Sequence, residues 1–431
     1  MQSDISIKRF KQFPRLMWIF LFGSFITRGS YYMVWPFLAV ILYEKFALSA
    51  TEVGLILSGA ATISVFTSFI GSALSDRIGR HRLMYLTGVL YIISFSLLAE
   101  ADTITAYVVV MTLCSIATSL WRPLTSAAIG DIIADPQTRE LAMQSLYFIV
   151  NVGCAVGPLA GVWLGLTGEQ SSFYITAGAF AILLGLLFWG FRGQAALKSA
   201  TDNQTIGKQT DKSADSTSDQ ALLASAQPPA TRKQIITVLW QDKLFQCLIF
   251  ANIICMFIYA QMDSSLIQYL TRADAPHLLE LISAMIFTNA MVIITTQFLL
   301  LKLMSGFSIT ARIQFGLVLL MISQVWLAIN PIDLFWGWIG AVIVISLAET
   351  ITFPTMNVHI DRLAPQHLRG AYFGAASFYE FGFAFAPLGG GIMLDHFGGF
   401  WLFMSGAALS VLVIYLYGIS DKLPRPDFKL L

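Results

Sequence analysis

Twelve times along this chain a run of roughly twenty apolar residues, interrupted by at most a few charges, is long enough to cross the hydrocarbon core of a bilayer as a helix. The runs lie near residues 15–43, 50–74, 83–100, 103–131, 139–167, 172–191, 244–270, 278–301, 309–330, 333–360, 370–395 and 399–419, and are numbered here as spans 1 to 12. Helices satisfy their own backbone hydrogen bonds in lipid, whereas barrel strands would appear as segments of about ten residues with alternating polarity. The sequence lacks that alternation. Of 431 residues, 56% are hydrophobic and 12% charged, far below the roughly 25% charged residues of a soluble domain. The expectation is an all-α membrane protein with twelve transmembrane helices; the composition excludes a soluble enzyme or a nucleic-acid-binding domain.

Charge placement sets the topology. Of 26 Lys and Arg, 22 fall on one side of the expected spans, among them Arg77, Arg80, Arg82, Arg139, Lys302, Arg312, Arg362 and Arg369. Only Lys45 and Arg272 fall on the other side, and Arg28 and Arg122 lie inside spans. Basic residues concentrate on the cytoplasmic side of inner-membrane proteins, so both termini are expected in the cytoplasm of a multi-pass protein of the cell inner membrane. The basic start runs into an apolar segment too long for a signal-peptide core and is expected to remain as span 1. Cys114, Cys154, Cys247 and Cys255 all sit in spans with no metal-ligand spacing, so free buried thiols are expected.

The chain divides into two halves. Residues 1–194 form an expected six-helix bundle, 195–232 a polar cytoplasmic linker rich in Ser, Thr, Gln, Asp and Lys, and 233–431 a second six-helix bundle. An internal repeat supports this. Asp131 and Arg139 after span 4 match Asp361 and Arg369 after span 10, and the Gly157-Pro158-Leu159-Ala160-Gly161 stretch of span 5 parallels Ala386-Pro387-Leu388-Gly389-Gly390 of span 11. A 6+6 parallel pseudo-repeat of this kind is associated with transporters whose site lies between the bundles.

The loop between spans 2 and 3 reads Gly71-Ser-Ala-Leu-Ser-Asp76-Arg77-Ile-Gly79-Arg80-His81-Arg82. It resembles the signature loop of the major facilitator superfamily, with Ser72 at the usual first glycine. In span 5, Gly153-Cys-Ala-Val-Gly157-Pro158-Leu-Ala-Gly161 resembles the glycine–proline motif of that superfamily's drug:proton antiporter branch, although Val162 replaces its last glycine. The resemblance implies gating roles for Asp76, Arg77, Gly79, Arg80, Gly157 and Pro158, and for the repeated pair of ends Asp131, Arg139, Asp361 and Arg369. Arg122 matches an arginine associated there with proton coupling, while Pro123 and Ser126 depart from that motif. Asp263 and Glu349 are similar in placement to carboxylates of multidrug exporters of the lactococcal type, which bind protons and help to recognise lipophilic cations. Beyond Glu140 at its start, span 5 has Gln144 and Asn151 but no acid, and Glu380 in span 11 is an additional one.

Charges within spans carry the functional argument. A charge at the bilayer centre costs about 2.5–3.5 kcal/mol on insertion scales, so it persists facing protein or a water-filled cavity. Arg28, Arg122, Asp263, Glu349 and Glu380 are therefore the candidate proton-coupling residues. Burial favours the neutral form of a carboxylic acid and a neighbouring arginine the charged form, so an acid that alternates between such surroundings loads and releases a proton. Around these charges, Tyr31, Tyr32, Trp121, Tyr259, Gln261 and Tyr379 are candidate substrate-binding residues together with Arg28, Arg122, Asp263 and Glu349, since aromatic faces hold lipophilic cations. The expected function is proton-coupled export of amphipathic small molecules by alternating access. A dedicated exporter of one metabolite, such as a siderophore or a peptide-like compound, and a proton symporter for uptake stay open. The sequence has no nucleophile–base or metal-ligand constellation, so no enzyme activity, metal or cofactor is expected. The partners expected are a small-molecule substrate, protons and the lipid bilayer, with no nucleic acid, and the chain is expected to work as a monomer.

Overall fold

A computed structural model describes residues 10–133, 135–166, 169–206, 232–365 and 368–426, and every regular element among them is helical. Span 1 is built from α1 (Arg15–Val34) and α2 (Leu38–Phe46), with the tight turn Trp35–Phe37 between them. Spans 2 to 6 are α3 (Ala50–Ile78), α4 (Arg80–Ala99), α5 (Ile104–Ile132), α6 (Pro136–Trp163) and α7 (Phe173–Ile206). After a short helix α8 (Arg232–Gln241), span 7 comprises α9 (Lys243–Ala260) and α10 (Ser265–Arg272). Spans 8 to 10 are α11 (Leu278–Leu303), α12 (Ile309–Ile329) and α13 (Phe335–Leu363).

A short helix α14 (Arg369–Ala376) and the long α15 (Glu380–Ser420) complete the chain. Among the described residues, eleven apolar helical stretches are long enough to cross a membrane, one of them the 50-residue Ala371–Ser420. That length is about 75 Å of helix, enough for two crossings. Its backbone breaks at Gly398, with φ 79° and ψ 173°, which divides it into spans 11 and 12 and gives the expected twelve.

Local chemistry explains where helices start. Ser49 and Glu52 form a reciprocal capping pair, the Ser49 N–H donating to Glu52 Oε2 at 2.8 Å and the Glu52 N–H to Ser49 Oγ at 3.1 Å. Thr103, Asp135 and Ser308 cap α5, α6 and α12, and Pro136 follows its cap at a position where the missing N–H costs nothing. The turn between spans 2 and 3 has Gly79 at φ 92°, a conformation open mainly to glycine. One expectation changes: residues 195–206, assigned to the linker, continue α7. Ala195, Ala196, Leu197, Lys198 and Ala200 are strong helix formers, and they prevail over the polar composition. The rest of the expected linker, 207–231, lies outside the described residues.

Spans 1 to 6 pack on one another, span 1 against 5 and 6, span 3 against 4 and 6, and span 2 against 4. Spans 7 to 12 form a second set, with span 7 against α15, span 8 against 10 and span 9 against 10 and α15. Two main seams join the sets, span 2 with α15 and span 5 with span 8. The sets share an internal construction. A Cβ on Gly153 of span 5 would meet the Phe25 carbonyl and the Gly29 N–H of span 1, and a Cβ on Gly382 of span 11 would collide with the Ile253 carbonyl and the Phe257 N–H of span 7. Both sites thus use one glycine against two backbone groups four residues apart, which is the parallel repeat expressed as a contact. Each set also interrupts its first helix at a corresponding level, at Trp35–Phe37 and at Gln261–Ser264.

Opposite the end that carries both described chain ends, the two sets close on each other. Asp395, at the end of span 11, accepts the backbone N–H groups of Ala50 and Thr51 at 3.0 and 2.7 Å, capping span 2 of the other set. Arg272 at the end of span 7 donates to the Leu48 carbonyl at 2.9 Å and lies 4.6 Å from the Tyr43 ring centre. Ser58 Oγ accepts the Leu388 N–H at 2.9 Å deeper in the same seam. At the end carrying the chain ends, Asp242 is fully buried, caps α9 through the Phe245 N–H, accepts the Tyr372 hydroxyl at 2.6 Å and pairs with Arg425 at 2.9 Å.

Candidate functional site

Three elements of the second set bring one carboxylate and its donors together. Glu349, within the long α13, is half-buried. Its Oε2 accepts the Tyr259 hydroxyl from span 7 at 2.6 Å and the Asn289 side-chain amide from span 8 at 2.9 Å. Asn289 also reaches Ser346 Oγ, one helical turn before Glu349, at 3.0 Å. The Tyr259 ring stands edge-on to Phe353 with centres 5.0 Å apart. Two hydrogen-bond donors on one oxygen fix the orientation of this carboxyl group.

Asp263 sits in the break between α9 and α10. The break turns its side chain out of the helical stack, and it is solvent-exposed although its flanking neighbours Met262 and Ser264 are buried. Among the described residues it has no hydrogen-bond or ion-pair partner. Its charge is felt by Tyr259 and Glu349 on its own set and by Tyr32 and Cys154 on the other. It is thus an exposed carboxylate at the junction of the two sets, its charge reaching groups on both.

The opposite wall belongs to span 1. Arg28 is half-buried, with Tyr31, Tyr32, Tyr91 and Cys154 as its electrostatic neighbours and the Tyr31 ring centre 5.8 Å from its guanidinium carbon. Tyr31 stacks on Trp35 at 5.0 Å and meets Tyr32 edge-on at 5.5 Å. Tyr91 is held behind them, stacked on Phe180 and bonded through its hydroxyl to Thr118 at 3.0 Å. Charges of opposite sign thus stand on the two sets with aromatic rings between.

Other expected site residues are placed elsewhere. Trp121 is buried, edge-on to Phe180, and packs spans 4 and 6. Gln261 is buried and donates to the Phe257 and Ala386 carbonyls, tying span 7 to span 11 instead of facing the open space. Tyr379 and Glu380 are half-buried at the turn where α15 begins, beside the stacked Phe378 and Phe381; Phe381 in turn meets Phe66 of span 2. Glu380 is not among the groups that act on Glu349. The Arg122 side chain lies outside the described residues. An apolar groove bounded by Ile322, Trp326, Asn330 and Leu334 at the end of span 9 contains no charge and stands apart from this site.

Among the expected gating residues, Arg80 and Asp131 form an ion pair at 2.5 Å that links the turn after span 2 to the end of span 4. Arg139 donates to the Ile133 carbonyl at 3.0 Å, holding the loop that leads into span 5. Gly157 faces the Gly29 backbone so closely that a Cβ would collide with it, and Pro158 lies one residue further inside the same helix. Asp361 is half-buried at the end of α13. The side chains of Asp76, Arg77 and Arg369 lie outside the described residues. Sequence reasoning missed Asn289, an amide in an apolar span, and Asp395, an acid at a loop end; the first carried a readable signal and the second only its pairing with a helix start.

Two sets of six helices related by a parallel repeat, enclosing opposed charges at mid-span, are the architecture of a secondary transporter. The chain belongs to the Major Facilitator Superfamily, whose family model matches residues 20–380. It is 26% identical to the uncharacterised MFS-type transporter YqjV of Bacillus subtilis, over 91% of this chain and 89% of that protein. It is 25% identical to a Na(+), Li(+), K(+)/H(+) antiporter of Planococcus maritimus, covering 95% of this chain and 96% of that one. Among solved structures, a POT family transporter in complex with a thioalcohol-conjugated peptide superposes with a TM-score of 0.73 at 17% identity, over 98% of this chain and 99% of that one. The nucleoside transporter NupG does so with a TM-score of 0.70 at 13% identity, over 94% and 98%.

Proposed function

We propose that this chain is a proton-driven exporter of amphipathic small molecules that works as a monomer in the inner membrane, with both termini in the cytoplasm. The carrying observation is the pair Asp263 and Glu349: the first is bare and exposed, the second holds two donors, and the charge of the first acts on the second. Two interacting acids in one hydrated space share protons, and a cationic ligand arriving there favours their charged forms, so ligand and proton compete. The two helix sets rock about this site, with the seam at Asp395 and Arg272 alternating with one around the Arg80 loop. The antiporter named for the Planococcus relative supports exchange against protons, and the drug:proton resemblance of span 5 supports export.

Proteoliposomes bearing the full chain, an imposed pH gradient and a panel of cationic dyes test this reading. Efflux of several dyes that ceases when the gradient is collapsed is expected; efflux indifferent to the gradient contradicts it. A second reading, exchange of monovalent cations for protons, is favoured by the same relative. Gradient dissipation on adding Na+, Li+ or K+ without any dye would replace the first reading by the second.

A further inference from the structure

We propose that the transported molecule is dipolar: it carries an anionic group, a carboxylate or one of similar shape, that binds Arg28, and a cationic group that binds Asp263 and Glu349. The inference rests on the transport site above and names the substrate class it takes.

A guanidinium kept only as a packing strut would donate to a carboxylate or to backbone carbonyls, because its five N–H groups must be satisfied wherever water is scarce. Arg28 has no such bond among the described residues, and no carboxylate there lies within ion-pair distance of it. Its company is aromatic. The Tyr31 hydroxyl beside it makes no hydrogen bond either, whereas the Tyr91 hydroxyl is engaged by Thr118. A planar fork with five donors, one free hydroxyl and partial exposure fits a bidentate anion such as a carboxylate.

The opposite wall needs the opposite charge. Asp263 is bare, and Tyr32 and Cys154 lie near both it and Arg28, so the two side chains stand at the same junction between the helix sets. Arg28 and Asp263 nonetheless make no contact with each other. A simple cation would satisfy Asp263 and leave Arg28 facing a like charge; a simple anion would do the reverse. A molecule with both charges, separated by an apolar body lying on Tyr31 and Tyr32, satisfies both walls.

The test is equilibrium binding to the full-length protein in nanodiscs at neutral pH, read by ligand fluorescence with three matched probes. These are norfloxacin, which carries an amine and a carboxylate; its ethyl ester, which keeps only the amine; and its N-acetyl derivative, which keeps only the carboxylate. Norfloxacin is expected to bind at least about tenfold more tightly than its ester, the factor of a charge-assisted bidentate bond. In Arg28→Gln that ratio falls towards one, and in Arg28→Lys most of it returns. Asp263→Asn lowers the preference for norfloxacin over the N-acetyl derivative. A structural role for Arg28 would weaken all three probes in parallel and leave the ratios intact. An unchanged norfloxacin-to-ester ratio in Arg28→Gln, or a wild-type protein with no preference for the dipolar probe, overturns the proposal. Binding is independent of any gradient, so loss of proton coupling in vesicles with the ratios preserved would count against the transport mechanism and not against the substrate class.

Discussion

The hydroxyl of Tyr259 and the carboxylate of Glu349, on spans 7 and 10, are 2.6 Å apart, with Asn289 of span 8 supplying a second donor to the same oxygen at 2.9 Å. Three helices thereby converge on one oxygen, and any motion that separates them changes how readily that carboxyl holds a proton. Removing one donor in Tyr259→Phe, or the other in Asn289→Ala, takes away a charge-assisted hydrogen bond worth about 1.5–3 kcal/mol. Each variant is expected to give a transport–pH profile different from that of the unaltered chain. The profile measured in proteoliposomes checks this; coincident profiles would mean that neither donor acts on the coupling step.

Closure at the end away from the chain termini depends on Asp395 receiving the first N–H groups of span 2. A carboxylate cap at a helix start contributes about 0.5–2 kcal/mol. Asp395→Ala removes that from the closed arrangement alone, which raises the population open at this end by a factor of about 2–30. Maleimide labelling of a cysteine placed at Ala50 should accelerate accordingly. Labelling that stays as slow as with Asp395 present would show that Arg272 and the apolar seam suffice.

Asp131 and Asp242 allow a contrast between two ion pairs. The Arg80–Asp131 pair is well exposed, with 56% of the Asp131 side chain open, so Asp131→Asn should cost at most about 1 kcal/mol of stability. The Asp242 side chain is 0% exposed and serves the Phe245 N–H, Tyr372 and Arg425. Asp242→Asn leaves the partly buried Arg425 without its counter-charge and disturbs a buried hydrogen-bonded group, and should cost about 3–5 kcal/mol. Thermal unfolding in detergent ranks the two; equal shifts would contradict the structural assignment.

Span 5 carries the tightest test of the helix contacts. Gly157→Val drives its side chain into the Gly29 backbone, and neither partner can yield as a flexible side chain would. Gly382→Val does the same to the backbone of Ile253 in the other set. Each should lower stability by roughly 1–3 kcal/mol or more and reduce the yield of monodisperse protein in size-exclusion chromatography. Wild-type behaviour of either variant would refute the close approach at that site.

Sequence reading reached the architecture because lipid permits few solutions: a long apolar run must be a helix, and the repeat of Asp131 and Arg139 as Asp361 and Arg369 orders twelve helices as six and six. It singled out Arg28, Asp263 and Glu349 because charges stand out in apolar spans. It did not give their partners. Tyr259 looked like one aromatic among many, and its hydroxyl acquires meaning only from the crossing of spans 7 and 10. Gln261 and Trp121 carried the same polar or aromatic signal as Tyr31 and Tyr32, but the packing of their helices buries both. The helical start of the linker was hidden because polarity masked the helix-forming bias of its alanines.

Asp263 and Glu349 are proposed to couple transport to protons. The most direct measurement compares two modes of the Asp263→Asn, Glu349→Gln double variant in the same proteoliposomes: substrate exchange without a gradient, and substrate movement driven by a pH gradient. Exchange is expected to persist at a reduced rate while gradient-driven movement is lost. Movement still driven by the gradient in the double variant would contradict it.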